Sequence, residues 1–312
     1  HALRTSSYYF SYDGDFTKPF GSTHNDMLIR ADLRAPVNVT NFFGIGNNTN
    51  LNRNVPGGVD YYRIRYSIAN FSVYLRRQLQ SWMRINYGPT FQYFHVRQKE
   101  NATKYVGNTV LSGVDASTLY DRKLFAGAEF LVDINSRNNA NLPTRGIMIN
   151  AGARSLFGLN NKSNNLAQLH ADLSIISSGA IIPKNVVTAL RIGWAHNIGA
   201  FEIPQAQYLS GTANLRGFRR DRFAGRSMFF YNAELRWKVK DFTTFLFPGS
   251  IGVIAFQDFG RVWQDGEVSG RWHNGYGGGI YIAPIQRWVV TISVAHSIEE
   301  NLLPYVSFGF RF

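Results

Sequence analysis

The last nine residues of the chain read Pro304-Tyr305-Val306-Ser307-Phe308-Gly309-Phe310-Arg311-Phe312. At every second position, Val306, Phe308, Phe310 and Phe312 form one set, and Tyr305, Ser307, Gly309 and Arg311 the other. Successive side chains of a strand point to opposite faces. The segment therefore predicts a strand with an aromatic face backed by a small and polar one. A wall with lipid outside and water inside needs such strands. One of them would also fit the edge of a soluble sandwich, so recurrence decides.

The alternation recurs along most of the chain. Trp288, Val290, Ile292 and Val294 oppose Thr291, Ser293 and Ala295. Phe229, Tyr231, Ala233, Leu235 and Trp237 oppose Asn232, Glu234, Arg236 and Lys238. Thr188, Leu190, Ile192 and Trp194 oppose Ala189, Arg191 and Gly193, and comparable sets run through 169–175, 124–133, 27–34 and 7–13. These segments are about nine to twelve residues long, the span of a tilted transmembrane strand. A soluble strand averages about five or six. Within 61–77 the phase slips: Tyr62, Ile64, Tyr66 and Ile68 are even-numbered, whereas Phe71, Val73 and Leu75 are odd. One extra residue near Ala69 and Asn70 would restore a single apolar face, which predicts a β-bulge there.

The fold class that follows is all-β: a transmembrane antiparallel β-barrel spanning 1–312 as one domain. About fourteen strands are expected, an even number that places both termini on the periplasmic side. They lie near 4–13, 25–40, 45–53, 58–78, 81–98, 122–134, 144–156, 166–178, 185–196, 226–239, 250–263, 274–284, 287–297 and 304–312. Short connections at 78–80 and 284–286 are expected to be periplasmic. The longer ones at 99–121, 157–165, 197–225 and 264–273 are expected to be extracellular.

Composition bears on function by what it excludes. The chain has no cysteine, so thiolate metal sites and disulfides are absent. Its 33 Lys and Arg exceed 20 Asp and Glu. Nucleic-acid binding needs such charge gathered on one face. Here it is scattered over lumen positions and strand ends (Arg76, Arg77, Lys238, Lys240, Arg287), which suits anionic lipid head groups. No metal-ligand spacing or cofactor motif is present. Of the seven His, His170 and His196 face no nucleophile that a hydrolase would require.

One constellation has a physical role. The long connection ends in Leu215-Arg216-Gly217-Phe218, the next strand carries Glu234, and the one after carries Phe256-Gln257-Asp258-Phe259-Gly260. Alternation turns Glu234 and Asp258 inward. A guanidinium fork matches a carboxylate bidentately, and Gly217 lets the backbone approach the wall. The expectation is a loop folded into the lumen and fastened by Arg216 to Glu234 or Asp258. The competing reading is a solvated loop arginine.

Leu-Arg-Gly-Phe before the fifth strand from the end, Glu-Leu-Arg on that strand, Phe-x-Asp-x-Gly on the next and the terminal aromatic strand together resemble the BamA/TamA-type outer-membrane assembly and translocation superfamily. Asn41-Phe42-Phe43-Gly44-Ile45-Gly46-Asn47 is similar to that family's Gly-x-Gly turn. The resemblance implies that Arg216, Gly217 and Phe218 form the lumen tip of the loop and that Glu234 and Asp258 receive the arginine. It implies location in the bacterial outer membrane and no enzymatic activity. It also implies a weak seam between first and last strands, near Gly309, Phe310 and Phe312, through which β-barrel proteins are inserted or polypeptide or lipid is passed. Partners so implied are membrane lipid, unfolded or translocating polypeptide, and an N-terminal periplasmic or enzymatic domain. Family barrels usually have sixteen strands, two more than the count above. The alternatives are a passive pore, anion-favouring by its basic lumen, and an anchor for a partner domain.

Overall fold

The structure is a computed structural model that describes residues 8–16, 25–179, 183, 185–245, 248–285 and 287–312; for 8–16 and 36–37 it describes the backbone alone. Long strands dominate it. The first eight are β1 (Tyr8–Phe16), β2 (Asn25–Asn41), β3 (Arg63–Gln80), β4 (Met83–Val96), β5 (Arg122–Asn135), β6 (Gly146–Gly158), β7 (Leu166–Ser178) and β8 (Val186–Gly199). A small hairpin of β9 (Gln207–Leu209) and β10 (Phe223–Gly225) follows. Then come β11 (Ser227–Thr243), β12 (Pro248–Trp263), β13 (His273–Pro284), β14 (Val290–Ser297) and β15 (Leu303–Phe308).

All but β9 and β10 join one 13-stranded antiparallel sheet in which β8 neighbours β11 and every other neighbour is consecutive. The sheet curls on itself. Arg53, between β2 and β3, lies 2.9 Å from Glu300, between β14 and β15, so loops from opposite ends of the strand order meet. Among the described residues no pairing joins β1 to β15.

The alternation sorts outside from inside. Leu190, Ile192, Trp194, Leu235, Trp237, Ile280, Ile292 and Val294 are exposed on the outer face. Their neighbours Ala189, Glu234, Arg236, Tyr281, Ser293 and Ala295 are buried on the inner one. Such an apolar outside would be costly in water and suits lipid.

Three expectations change. The strand near 45–53 is not formed: only Ile45 and Gly46 make bridges, both to Ala224 of β10. Asn47 is buried and donates its amide to Ser269 Oγ and the Arg271 carbonyl, so the segment's polar groups go to side chain–backbone bonds rather than a ladder. The described sheet thus has an odd number of strands, and β1 and β15 run in the same direction. The strand expected at 4–13 is described from Tyr8; its earlier residues, like Gln286 of the expected 284–286 turn, lie outside the described residues.

The bulge near Ala69 and Asn70 is also absent. Pairing with β4 runs unbroken from Tyr66↔Val96 through Ala69↔Tyr93 to Ser72↔Thr90. Every even-numbered residue from Ile64 to Tyr74 faces inward. The phase slips because Tyr62, Ile64 and Tyr66 meet an apolar core instead of water: Phe42, Phe94, Val96, Phe125, Leu156 and Ile203 fill the barrel at its long-loop end. The register shift falls on β2, between Arg34 and Asn38.

The third change is at the end of the chain. The last strand stops at Phe308, and Gly309 takes φ +96°, a left-handed conformation that breaks the pleat. Val306 and Phe308 face outward, but Phe312 is buried inside, against Ile176, Val187 and Ala189 of β7 and β8. The wall also shortens toward this edge, from 16 residues in β12 to 12, 8 and 6 in β13, β14 and β15.

Candidate functional site

The site sits where the connection 200–226 dips into the lumen. Its hairpin pairs Phe223 with Leu209 and Gly225 with Gln207. Leu209, Leu215, Phe218 and Phe223 then pack on Phe230 of β11 and Val262 of β12. Apolar burial thus pulls the loop inward, and the tip between the two arms is Leu215-Arg216-Gly217-Phe218.

The wall prepares a place for that tip. Asp258 lies opposite Asn232 on β11 and opposite Gly275 on β13, with Glu234 opposite Phe256 one step along. A Cβ on Gly275 would stand 1.7 Å from the Arg216 carbonyl oxygen, so only glycine lets the loop backbone lie on the sheet there. Gly217 holds φ +91°, and a Cβ on it would reach within 2.6 Å of the His296 carbonyl. Its N–H donates to the Tyr305 hydroxyl at 3.0 Å, and its carbonyl accepts from Ser297 Oγ at 2.6 Å. The tip therefore touches β13, β14 and β15.

Arg216 is fully engaged. Its backbone N–H and Nε both donate to Asp258 Oδ2 at 2.8 Å, and Nη2 donates to Asp258 Oδ1 at 2.8 Å. Nη1 donates to Glu234 Oε2 at 2.7 Å. The guanidinium also lies over the Phe256 ring, 3.6 Å from its centroid. All three ionised residues are at most 4% exposed. Burial opposes the arginine's charge, but bonds and charges from Asp258 and Glu234 outweigh it and hold the guanidinium above its ordinary range. A bidentate pair removed from water, with its remaining donors satisfied, is the arrangement in which an ion pair holds firmly.

The network continues. Glu234 Oε1 accepts from Arg236 Nε at 2.7 Å, and Arg236 Nη2 donates to the Phe312 carbonyl at 2.7 Å. One chain of charge-assisted bonds therefore runs from Asp258 through Arg216, Glu234 and Arg236 to the terminal segment. The Arg236 guanidinium also lies 4.0 Å from the Phe310 ring centroid. Among the described residues, no group of His, Asp and Glu is placed to hold a metal ion.

A model of the Omp85 superfamily domain matches residues 2–292. The chain belongs to the Omp85 superfamily. Among solved structures, BamA from Haemophilus ducreyi lacking POTRA domains 1–3 superposes with a TM-score of 0.66 at 14% identity, covering 97% of this chain and 62% of that one. CdiB from Acinetobacter baumannii gives 0.59 at 12% identity, covering 97% and 49%. CdiB from Escherichia coli gives 0.53 at 12%, covering 91% and 49%. The chain thus spans less than two thirds of the structures it resembles, and at these identities the likeness is one of fold. No curated protein sequence matches it. As an Omp85 member it is a β-barrel of the bacterial outer membrane.

This Omp85 barrel holds its loop with more residues than the sequence motif names. Arg222 is wholly buried, donating from Nε and Nη2 to Glu299 at 2.6 and 2.7 Å and from Nη1 to Thr49 Oγ1 at 2.8 Å. Arg219 donates to Glu300 at 2.7 Å. The signal was available as complementary charge, Arg219 and Arg222 in one loop and Glu299-Glu300 in another. Nothing in the spacing says that the two loops meet. Ser297 and Tyr305 left no signal beyond their inward parity.

Proposed function

We propose that this Omp85 barrel assists entry of polypeptide strands into the outer membrane at a lateral seam between its first and last strands. The observation that carries the reading is the decline in strand length toward β15. Six residues extend about 20 Å, short of the ~30 Å hydrocarbon layer. Lipid beside so short a strand must thin or tilt to cover it. An edge that pairs poorly offers unpaired backbone groups on which an incoming strand can add. Polypeptide is the substrate the family resemblance implies, and the Arg216 network would keep the loop from blocking or leaving the lumen while the wall works.

The filled loop end disfavours a passive pore. The decisive experiment is the folding rate of a denatured β-barrel substrate into liposomes holding this protein, its Arg216→Ala variant, or nothing. Acceleration by the native protein that falls in Arg216→Ala is expected. Equal rates in native and empty liposomes would overturn the reading and leave an anchor or a pore, which conductance would separate.

A further inference from the structure

The outer wall gathers cations at its long-loop end. On β3, Arg63 and Arg65 fall on the outward parity, since Tyr62, Ile64 and Tyr66 are buried inward. Arg97 follows β4, one step beyond the Tyr66↔Val96 pair, and so comes up beside Arg65. Arg122 opens β5 opposite His95. Lys104 joins them from the connection between β4 and β5. The lysines that the sequence sets beside head groups, Lys238 and Lys240, lie at the opposite, short-turn end.

Directly below these cations the outer face is apolar. Phe91 on β4, Leu124 on β5 and Phe157 on β6 are all exposed there, and Leu124 is only two residues from Arg122. Such a change from apolar to cationic within one step of a strand marks the boundary between acyl chains and head groups.

The charge is not balanced within the protein. Asp60 lies 3.4 Å from Arg63 and 4.0 Å from Arg65, and it also accepts from Lys104 Nζ. Glu100 lies 3.7 Å from Arg97. Arg122 pairs with no carboxylate among the described residues, and the adjacent Asp121 turns to Lys162 at 3.5 Å. Two carboxylates thus serve five cations. The arginine contacts here are longer than charge-assisted bonds, unlike those of Arg216 in the lumen. Like charges on facing strands repel, a cost that a bound anion removes.

The row is held in place from behind. Asn101 is buried and ends the single helical turn Gln98–Asn101. Its Nδ2 donates to the carbonyls of Arg65 and Arg97 at 2.7 Å each, and its Oδ1 accepts from the Arg65 N–H at 2.9 Å. One amide therefore fixes the backbone from which both guanidinium groups project.

The apolar face beneath the charges selects a lipid over a soluble anion. Arg65, Arg97 and Arg122 also spread over three strands, about 10 Å across, more than one phosphate covers. We propose that these three arginines bind the phosphates of a multiply phosphorylated lipid in the outer leaflet, whose chains lie on Phe91, Leu124 and Phe157. The site stands apart from the insertion reading and would hold in a pore or an anchor equally.

The test is native mass spectrometry of the full chain in detergent, titrated with diphosphoryl lipid A, monophosphoryl lipid A or phosphatidylcholine. Heat-modifiable migration confirms a folded barrel. Diphosphoryl lipid A is expected to bind most tightly, and Arg97→Gln/Arg122→Gln to weaken it about thirtyfold. Lys238→Gln/Lys240→Gln, which removes as much charge at the turn end, should leave binding unchanged. Equal loss in the two double variants would show attraction by net charge alone and overturn the site. Equal binding of diphosphoryl lipid A and phosphatidylcholine would also overturn it, as would release of the lipid by equimolar inorganic phosphate, which would assign the row to a free anion. If Arg97→Gln/Arg122→Gln does not fold, Arg122→Gln alone carries the test, with an expected loss of about fivefold.

Discussion

The two ends of the lumen hold their inserted segments by different physics. At the loop end, 200–226 is fixed by ionised groups taken out of water: Arg216 on Asp258 and Glu234, Arg222 on Glu299. At the turn end, the terminal segment and 136–145 are held by apolar packing and by bonds to backbone carbonyls, Arg236 to Phe312, Arg311 to Gly211 and Asn141 to Arg287. Apolar contacts are non-directional and have an equal alternative in lipid. A buried bidentate pair has none, since parting it strands charge. The same barrel thus holds one inserted segment by buried ion pairs and the other mainly by packing and carbonyl bonds, and Arg236 belongs to both.

The contrast breaks most sharply at the fixed end. Asp258→Ala removes the acceptor of three Arg216 donors and leaves a buried guanidinium with Glu234 alone. A loss of about 3–5 kcal/mol is expected in reversible urea unfolding of the reconstituted barrel, and a loss below 1 kcal/mol would make the network ornamental. Gly275→Ala should cost less, about 1–3 kcal/mol, because the new methyl drives the loop backbone off the wall. Its sharper signature is conductance through a lifted loop, recorded in planar bilayers. Arg236→Gln tests the shared residue. It should lower stability by about 1.5–3 kcal/mol and, unlike Asp258→Ala, raise proteolytic access to 309–312 while leaving the loop protected.

The smallest effect belongs to the exposed rim. The hydrogen bond from Lys104 holds the Asp60 carboxyl below its ordinary value of 3.8. A depressed folded-state pKa means that the stabilisation is present above that value and lost as pH falls through the lower one. Asp60 is 44% exposed, so Asp60→Asn should cost no more than about 0.5–1 kcal/mol at pH 7. Unfolding midpoints of variant and native protein should converge below pH 3.8. A persistent gap would show that the rim pair acts by packing and not by charge.

What the sequence disclosed follows the same divide. The lipid face was legible throughout, because lipid imposes one rule on every strand. Inward parity also placed Glu234 and Asp258 beside each other's strands. The lumen was harder to read, because its filling is not uniform. Ile64 and Tyr66 looked like part of a slipped lipid face, although they face a core built from neighbouring strands and the long loops. Phe310 and Phe312 continued the pattern of Val306 and Phe308, although a single left-handed residue turns them inward. The Arg222–Glu299 pair depends on a closure between distant loops that no local spacing encodes. Local periodicity reports which medium a strand faces, and inside this barrel the medium changes from water to protein within one strand.

If the Arg216 network keeps the loop end shut, its loss must open the barrel. Single-channel recording of native protein beside Arg216→Ala, each in planar bilayers, tests it most directly. A silent native barrel and a conducting, flickering variant are the predicted result. A native barrel that conducts steadily, or a variant as silent as the native protein, would contradict it.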